Sequence, residues 1–218
     1  MPATESSDYV GKPSLAIPVQ YLKASLALLV AGAKRLQLKK IVRPKMFENS
    51  ITSSLASEMI TEQGAAGSDI VRFDFRVHHL SDPSDPASVC EIDFKFSWNN
   101  YDYEAYLAAE AKRLRGVGDS LADKYVNEGV MDFVQGKYGR GHNYGIMIGY
   151  VLVASLENAV AKVISAMNTR KAVTHESRRC QPDARFCSQP YTHLSSHLQL
   201  EQMNPITLIH IFFDFTIT

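Results

Sequence analysis

Cysteine is scarce: Cys90, Cys180 and Cys187 are the only three in 218 residues. That odd, low number argues against a disulfide scaffold and fits a reducing, cytoplasmic setting. An excess of either charge is missing too, with 23 Lys and Arg against 23 Asp and Glu. An overall basic field, the usual mark of a small nucleic-acid module, is therefore excluded, although basic residues gathered on one face are not. No run approaches the ~20 apolar residues of a membrane span. The richest stretch, 146–167, is broken by Glu157, Asn158 and Lys162. The opening MPATESSDYVGKPS has no charged segment followed by an apolar one, so no secretory signal is expected. GxSxG, P-loop and GxGxxG patterns are all lacking, which removes the common signatures of a metabolic α/β enzyme. No repeat or low-complexity tract is present.

What is there suits one domain over 1–218. Apolar residues make up 45%, enough for a sizeable core. Residues 1–14 are polar and expected to be disordered. Leu22, Leu26, Leu29, Ala33 and Leu36 recur with helical spacing and predict a helix over 18–41. Such a stripe also suits a membrane surface, but packing on a core is the commoner use. Ile51, Leu55 and Met59 predict a second helix over 47–63, closed by Gly64 and Gly67. Alternation then predicts strands over 69–78 and 89–98, separated by the Pro/Asp/Ser loop from Ser81. Residues 99–102 read as a turn, and the core of 103–114 as a strand. Helices are expected over 121–135 and 145–167, and an irregular insertion over 170–205. The β-prone ending gives a strand over 208–216. The expected fold is α/β: a central mixed sheet of four or more strands flanked by helices.

The hairpin places chemistry on neighbouring strands. Residues two apart on a strand share a face, so Glu110 and Lys112 point the same way. On the preceding strand Asp93 shares its face with Glu91 and Lys95. Carboxylate oxygens suit a hard divalent ion that keeps several waters. A metal-bound water attacks a phosphodiester, and a lysine orients it or steadies the developing charge.

The run YLAAEAKRL, followed by YVNEGVMDFVQGKYG and GIMIGYV, resembles the PD-(D/E)XK, or restriction-endonuclease-like, superfamily. Asp93 matches the family's aspartate, Glu110 its acid and Lys112 its lysine; Ile92 stands where the motif has proline. The resemblance covers roughly 45–155 and the last strand. It implies a restriction-endonuclease-like core and Mg²⁺- or Mn²⁺-dependent endonuclease activity, with DNA as partner. By the same resemblance the Ala111 carbonyl is a further metal ligand, and Glu48 is the glutamate on the helix before the sheet, with Glu58 as its substitute. A role in restriction or phage defence follows by analogy alone. A homodimer or a separate specificity partner would be compatible with it. The alternative from another class is a catalytically silent nuclease-like module that binds nucleic acid or a protein.

A rival register exists, with Asp93-Phe94-Lys95 as the D-x-K and Asp74 or Asp85 as the upstream acid. The first register is preferred because EAK lies in an apolar run suited to a central strand and is followed by basic residues. A purely structural account makes Asp93, Glu110 and Lys112 a cross-strand salt-bridge ladder, worth roughly 0.2–1 kcal/mol per pair. For Glu48 it is favourable first-turn helix chemistry. Lys137, Tyr138 and Arg140, in a glycine-rich turn, are candidate phosphate and base contacts, or simply a solvated loop. His142 reads as a surface histidine. His175, Cys180, Cys187, His193 and His197 match no zinc-module spacing.

Overall fold

Two long helices begin the fold. Helix α1 (Val19–Lys39) buries Leu22, Leu26, Leu29, Ala33 and Leu36 along one stripe and stops where Lys40 turns left-handed, with φ 49°. Helix α2 (Glu48–Ala66) sets Ile51, Leu55 and Met59 against the same apolar cluster. The stripe of α1 therefore packs on the core. The coordinates are a computed structural model that describes residues 16–66, 70–80, 89–98, 105–115, 120–189, 191–200 and 204–216. The expected disordered start, the 81–88 loop with Asp85, the 99–102 turn and Gly67 lie outside those residues.

Strands β1 (Arg72–Leu80), β2 (Val89–Ser97) and β3 (Tyr106–Leu114) form an antiparallel meander, as the alternation predicts. Next come α3 (Leu121–Tyr125), a π-helical turn (Val126–Val130) and α4 (Met131–Val134). Then β4 (Tyr144–Val151), α5 (Leu156–Thr169), β5 (Glu176–Pro182), β6 (Thr192–Leu198) and β7 (Pro205–Asp214) complete the chain. One seven-stranded mixed sheet has the order β1-β2-β3-β4-β7-β6-β5. Strands β3, β4 and β7 run parallel at its centre. Helices α1 and α2 cover one face, over Phe94, Phe96, Leu107, Ile146, Ile148 and Ile209. The π turn, with α3, α4 and α5, covers the other, over Ala108, Met147, Val151, Leu208 and Phe212. The protein is thus α/β, with a mixed sheet flanked by helices. No helix among the described residues is long and apolar enough to cross a membrane.

Two expectations are corrected. The helix expected over 145–167 is a strand followed by a shorter helix. YGIMIGYV is buried on both faces of the sheet, and a short run apolar on both sides has the same pattern whether strand or helix. Ser155, whose hydroxyl accepts the Asn158 N–H at 3.3 Å, starts α5 afresh. The expected irregular insertion over 170–205 holds two strands, β5 and β6. The polar residues of β6 hid it, although Thr192, His193, Ser195 and His197 are buried and Ser195 bonds His197.

Candidate catalytic cleft

The cleft exists because two strands part. Strands β2 and β3 pair from Ser97 opposite Tyr106 to Phe94 opposite Ala109, and no further. Beyond that point β3 continues along β4 as far as Leu114. On the other side of β2 the ladder skips Arg76, which faces Asp93 and takes a left-handed φ of 53°. The irregularity on both sides of Asp93 frees its side chain to do what a backbone carbonyl would otherwise do. Its Oδ2 accepts the Ala111 N–H at 2.8 Å. In an extended strand the N–H and C=O of one residue point to the same side, so the Ala111 carbonyl faces the same gap.

Glu110 and Lys112, two apart on β3, lie on one face of the strand. Glu110 is 5% exposed and bonds the Lys112 ammonium. Lys112 also lies 3.6 Å from Oε1 of Glu48, at the start of α2. The other oxygen of Glu48 accepts the Arg113 N–H at 2.8 Å. The π turn packs over this strand at Gly129. A Cβ there would lie 2.4 Å from the Met147 methyl, so glycine leaves room for that side chain, while Cγ of Lys112 would be in ordinary contact at 3.7 Å. A cleft of about 310 Å³, lined in part by Phe47, Glu48, Lys112, Arg113 and Lys124, opens beside the ammonium.

Charge around Lys112 is out of balance. Its ammonium stands among Glu110, Glu48 and Asp93. Burial pushes Asp93 up to about 6, against the pull of the Ala111 N–H and Lys112. Burial, and then the Asp93 charge, push Glu110 well above the usual carboxylate range. Burial pulls Lys112 down, but the charges of Glu110 and Glu48 outweigh it and hold the ammonium above its ordinary value. With three acids around one ammonium, the Glu110 carboxyl is held high.

Asp93, Glu110, Lys112, Ala111 and Glu48 are therefore brought together. Glu58 is not: Arg35, at 3.3 Å, and Lys39 hold it between α1 and α2, and the Lys39 hydrogen bond in particular keeps its carboxyl low. In the rival register Lys95 lies over the Tyr106 ring, 4.9 Å from its centroid, and Asp74 faces Lys95 from the exposed strand β1, while Asp85 lies outside the described residues.

The glycine-rich turn needs correction. Tyr138 is buried; its hydroxyl donates to the Glu91 carbonyl at 2.9 Å and its ring meets Phe133 edge-on, so it offers no face to a base. His142 is buried against Tyr106 rather than on the surface. Lys137 donates to Asp132 at 2.6 Å, and Arg140 is half-buried. Asp132 went unnoticed in the sequence, yet its charge reaches Glu110. No group of three or more His, Cys, Asp or Glu side chains among the described residues is arranged to hold a metal ion, which covers the late Cys/His set. Next to the Lys112 side of the cleft stand instead two buried carboxylates, Asp93 and Glu110, and the Ala111 carbonyl. Mg²⁺ typically takes one or two carboxylates and keeps its waters, so this hard-oxygen donor set fits it.

A second buried assembly was invisible in the sequence. His197 Nδ1 lies 2.8 Å from the Thr174 carbonyl, and its Nε2 lies 2.7 Å from Ser195 Oγ. Ser195 Oγ is 2.8 Å from Nε2 of His210, whose Nδ1 is 2.9 Å from the Tyr125 hydroxyl. The carbonyl has no proton to give, so it fixes every other role. His197 donates to Thr174, Ser195 to His197, His210 to Ser195 and Tyr125 to His210. Both histidines are then neutral and each link has one proton. Burial pulls His197 down to about 4 and His210 well below its usual range.

The chain matches no protein-family model, no curated protein and no solved structure. The cleft is therefore read from its own geometry and chemistry.

Proposed function

We propose that this cleft is the active site of a divalent-cation-dependent nuclease, cutting phosphodiester bonds, with DNA the expected substrate, on a restriction-endonuclease-like core. The observation that carries the reading is the buried pair Asp93 and Glu110, placed where β2 leaves β3, with a single lysine among their charges. Asp93, Glu110 and the Ala111 carbonyl would hold Mg²⁺ or Mn²⁺. When bound, that ion supplies an activated water and neutralises charge on the phosphate.

The chain's own residues prepare the rest. The Ala111 N–H fixes one oxygen of Asp93 and leaves the other available. Lys112 presents an ammonium that stays charged, suited to orienting a water or meeting a phosphate oxygen. Glu48 already receives the Arg113 N–H and lies near Lys112; its role here is to aim that lysine rather than to bind metal directly.

The test is nicking of supercoiled plasmid with Mg²⁺ or Mn²⁺, with EDTA and with Asp93→Asn and Lys112→Ala. Cleavage that needs the metal and disappears in both variants is expected. Cleavage that survives EDTA and Asp93→Asn overturns the reading. Binding of DNA without cleavage under all these conditions would make the protein a silent binding module.

A further inference from the structure

The most exposed aromatic side chain among the described residues stands at the mouth of this cleft. Phe47 is 74% exposed and lines the opening together with the cations Lys112, Arg113 and Lys124 and the acids Glu48 and Glu128. An exposed phenyl leaves apolar surface in water, yet the backbone beneath it is firmly held. The Phe47 carbonyl accepts the N–H groups of Ser50 and Ile51 at 3.1 and 3.2 Å, at the start of α2. The preceding Met46 packs on the core, and its carbonyl accepts Nη1 of Arg113 at 2.8 Å. The Arg113 guanidinium lies 6.0 Å from the Phe47 ring centroid. It gives this hydrogen bond to a neutral carbonyl rather than to a carboxylate. Phe47 is thus a largely exposed ring on a rigid ledge, with the Arg113 guanidinium over one face and Lys112 in the same cleft.

That combination has a specific chemical partner. A base stacks on an aromatic face while an arginine meets the adjoining phosphate. Within a duplex both faces of a base are covered by its neighbours, so only an unpaired or extruded base presents one. The geometry points to a base-stacking subsite: Phe47 receives an unpaired nucleobase and Arg113 the neighbouring phosphate, so that the cleft takes single-stranded nucleic acid. This inference rests on the nuclease reading for the identity of the cleft, but its own evidence is the ledge. It also moves the base-stacking role from Tyr138, which is buried, to Phe47.

The experiment is fluorescence anisotropy with dye-labelled single-stranded DNA, single-stranded RNA of the same sequence, and the DNA duplex. Binding is measured in EDTA, so that nothing is cut, for the native chain, Phe47→Ala and Phe47→Trp. The native chain is expected to prefer a single strand. Phe47→Ala should weaken that binding by about tenfold and duplex binding by much less, and Phe47→Trp should keep it. The DNA and RNA arms identify which sugar the subsite accepts. No binding, a preference for duplex, or equal losses on strand and duplex would overturn the inference. Cleavage assayed in parallel keeps the two readings apart. Strand binding that depends on Phe47 without any metal-dependent cleavage supports the ledge and sinks the nuclease. Cleavage with strand binding indifferent to Phe47 does the reverse.

Discussion

The cleft at Asp93, Glu110 and Lys112 and the chain from Tyr125 to Thr174 are both made of buried polar side chains, but they are balanced in opposite ways. In the second, each proton has one acceptor and no charge is present. In the first, three acids share one ammonium, and burial holds two of the acids well above their ordinary range. A buried polar network that is fully satisfied specifies structure. One left short of positive charge destabilises the fold that carries it, and such perturbed acids concentrate where a protein binds or reacts. The difference separates a part that holds the molecule together from the part for which a metal-binding role is proposed.

The largest expected effect is on activity. Lys112→Ala or Asp93→Asn should lower metal-dependent cleavage by about 10²–10³-fold. Ser195→Ala should leave cleavage by the folded protein within about threefold. Equal losses from Ser195→Ala and Lys112→Ala in steady-state assays would erase the distinction.

Stability should respond with the opposite sign. Ser195→Ala strands an N–H of His210 and a ring nitrogen of His197, both buried, and should lower the unfolding free energy by about 2–4 kcal/mol. Asp93→Asn keeps an oxygen for the Ala111 N–H and removes a charge from a crowded site. It should raise stability at neutral pH by about 1 kcal/mol. Urea titrations monitored by circular dichroism measure both, and a destabilised Asp93→Asn would show that the cleft is balanced after all.

The smallest effect lies in the pH dependence. His197 sits at about 4 rather than 6.5, so the unfolded chain binds its proton first. The stability it contributes is present above about pH 6.5 and is lost as pH falls toward about 4. Asp93 behaves inversely: it sits at about 6 rather than 3.8, and the folded chain binds its proton first. Its contribution is present below about pH 3.8 and is lost as pH rises through about 6. The two slopes oppose each other in the native chain. Asp93→Asn should therefore lose stability more steeply than the native chain on acidification from pH 6 to 4. Parallel curves from thermal melts across that range would contradict the assignment.

The sequence made one of these regions legible and hid the other. Glu110 and Lys112 were readable because period-two alternation fixes the face of a strand residue, and EAK lies in an apolar run. Asp93 followed by parity, but the parting of β2 from β3 could not be seen, because where a ladder stops is set by the pairing of whole strands. Strand β4 was mistaken for a helix because burial on both faces erases alternation. Strand β6 read as loop because Ser195 and His197 look polar, and their partners Tyr125 and His210 are far away in sequence. Tyr138 reads as open and is buried, whereas Phe47, assigned no role, is exposed, for a similar reason. Whether an aromatic ring is buried is decided by what packs over it, not by the polarity of its sequence neighbours.

Binding of Mn²⁺, followed by titration calorimetry on the native chain, Glu110→Gln, Asp93→Asn and Ser195→Ala, tests the imbalance directly. The account predicts a site in the native chain and in Ser195→Ala that is lost or greatly weakened in both carboxylate variants. Equal Mn²⁺ binding in all four proteins, or none in the native chain, would contradict it.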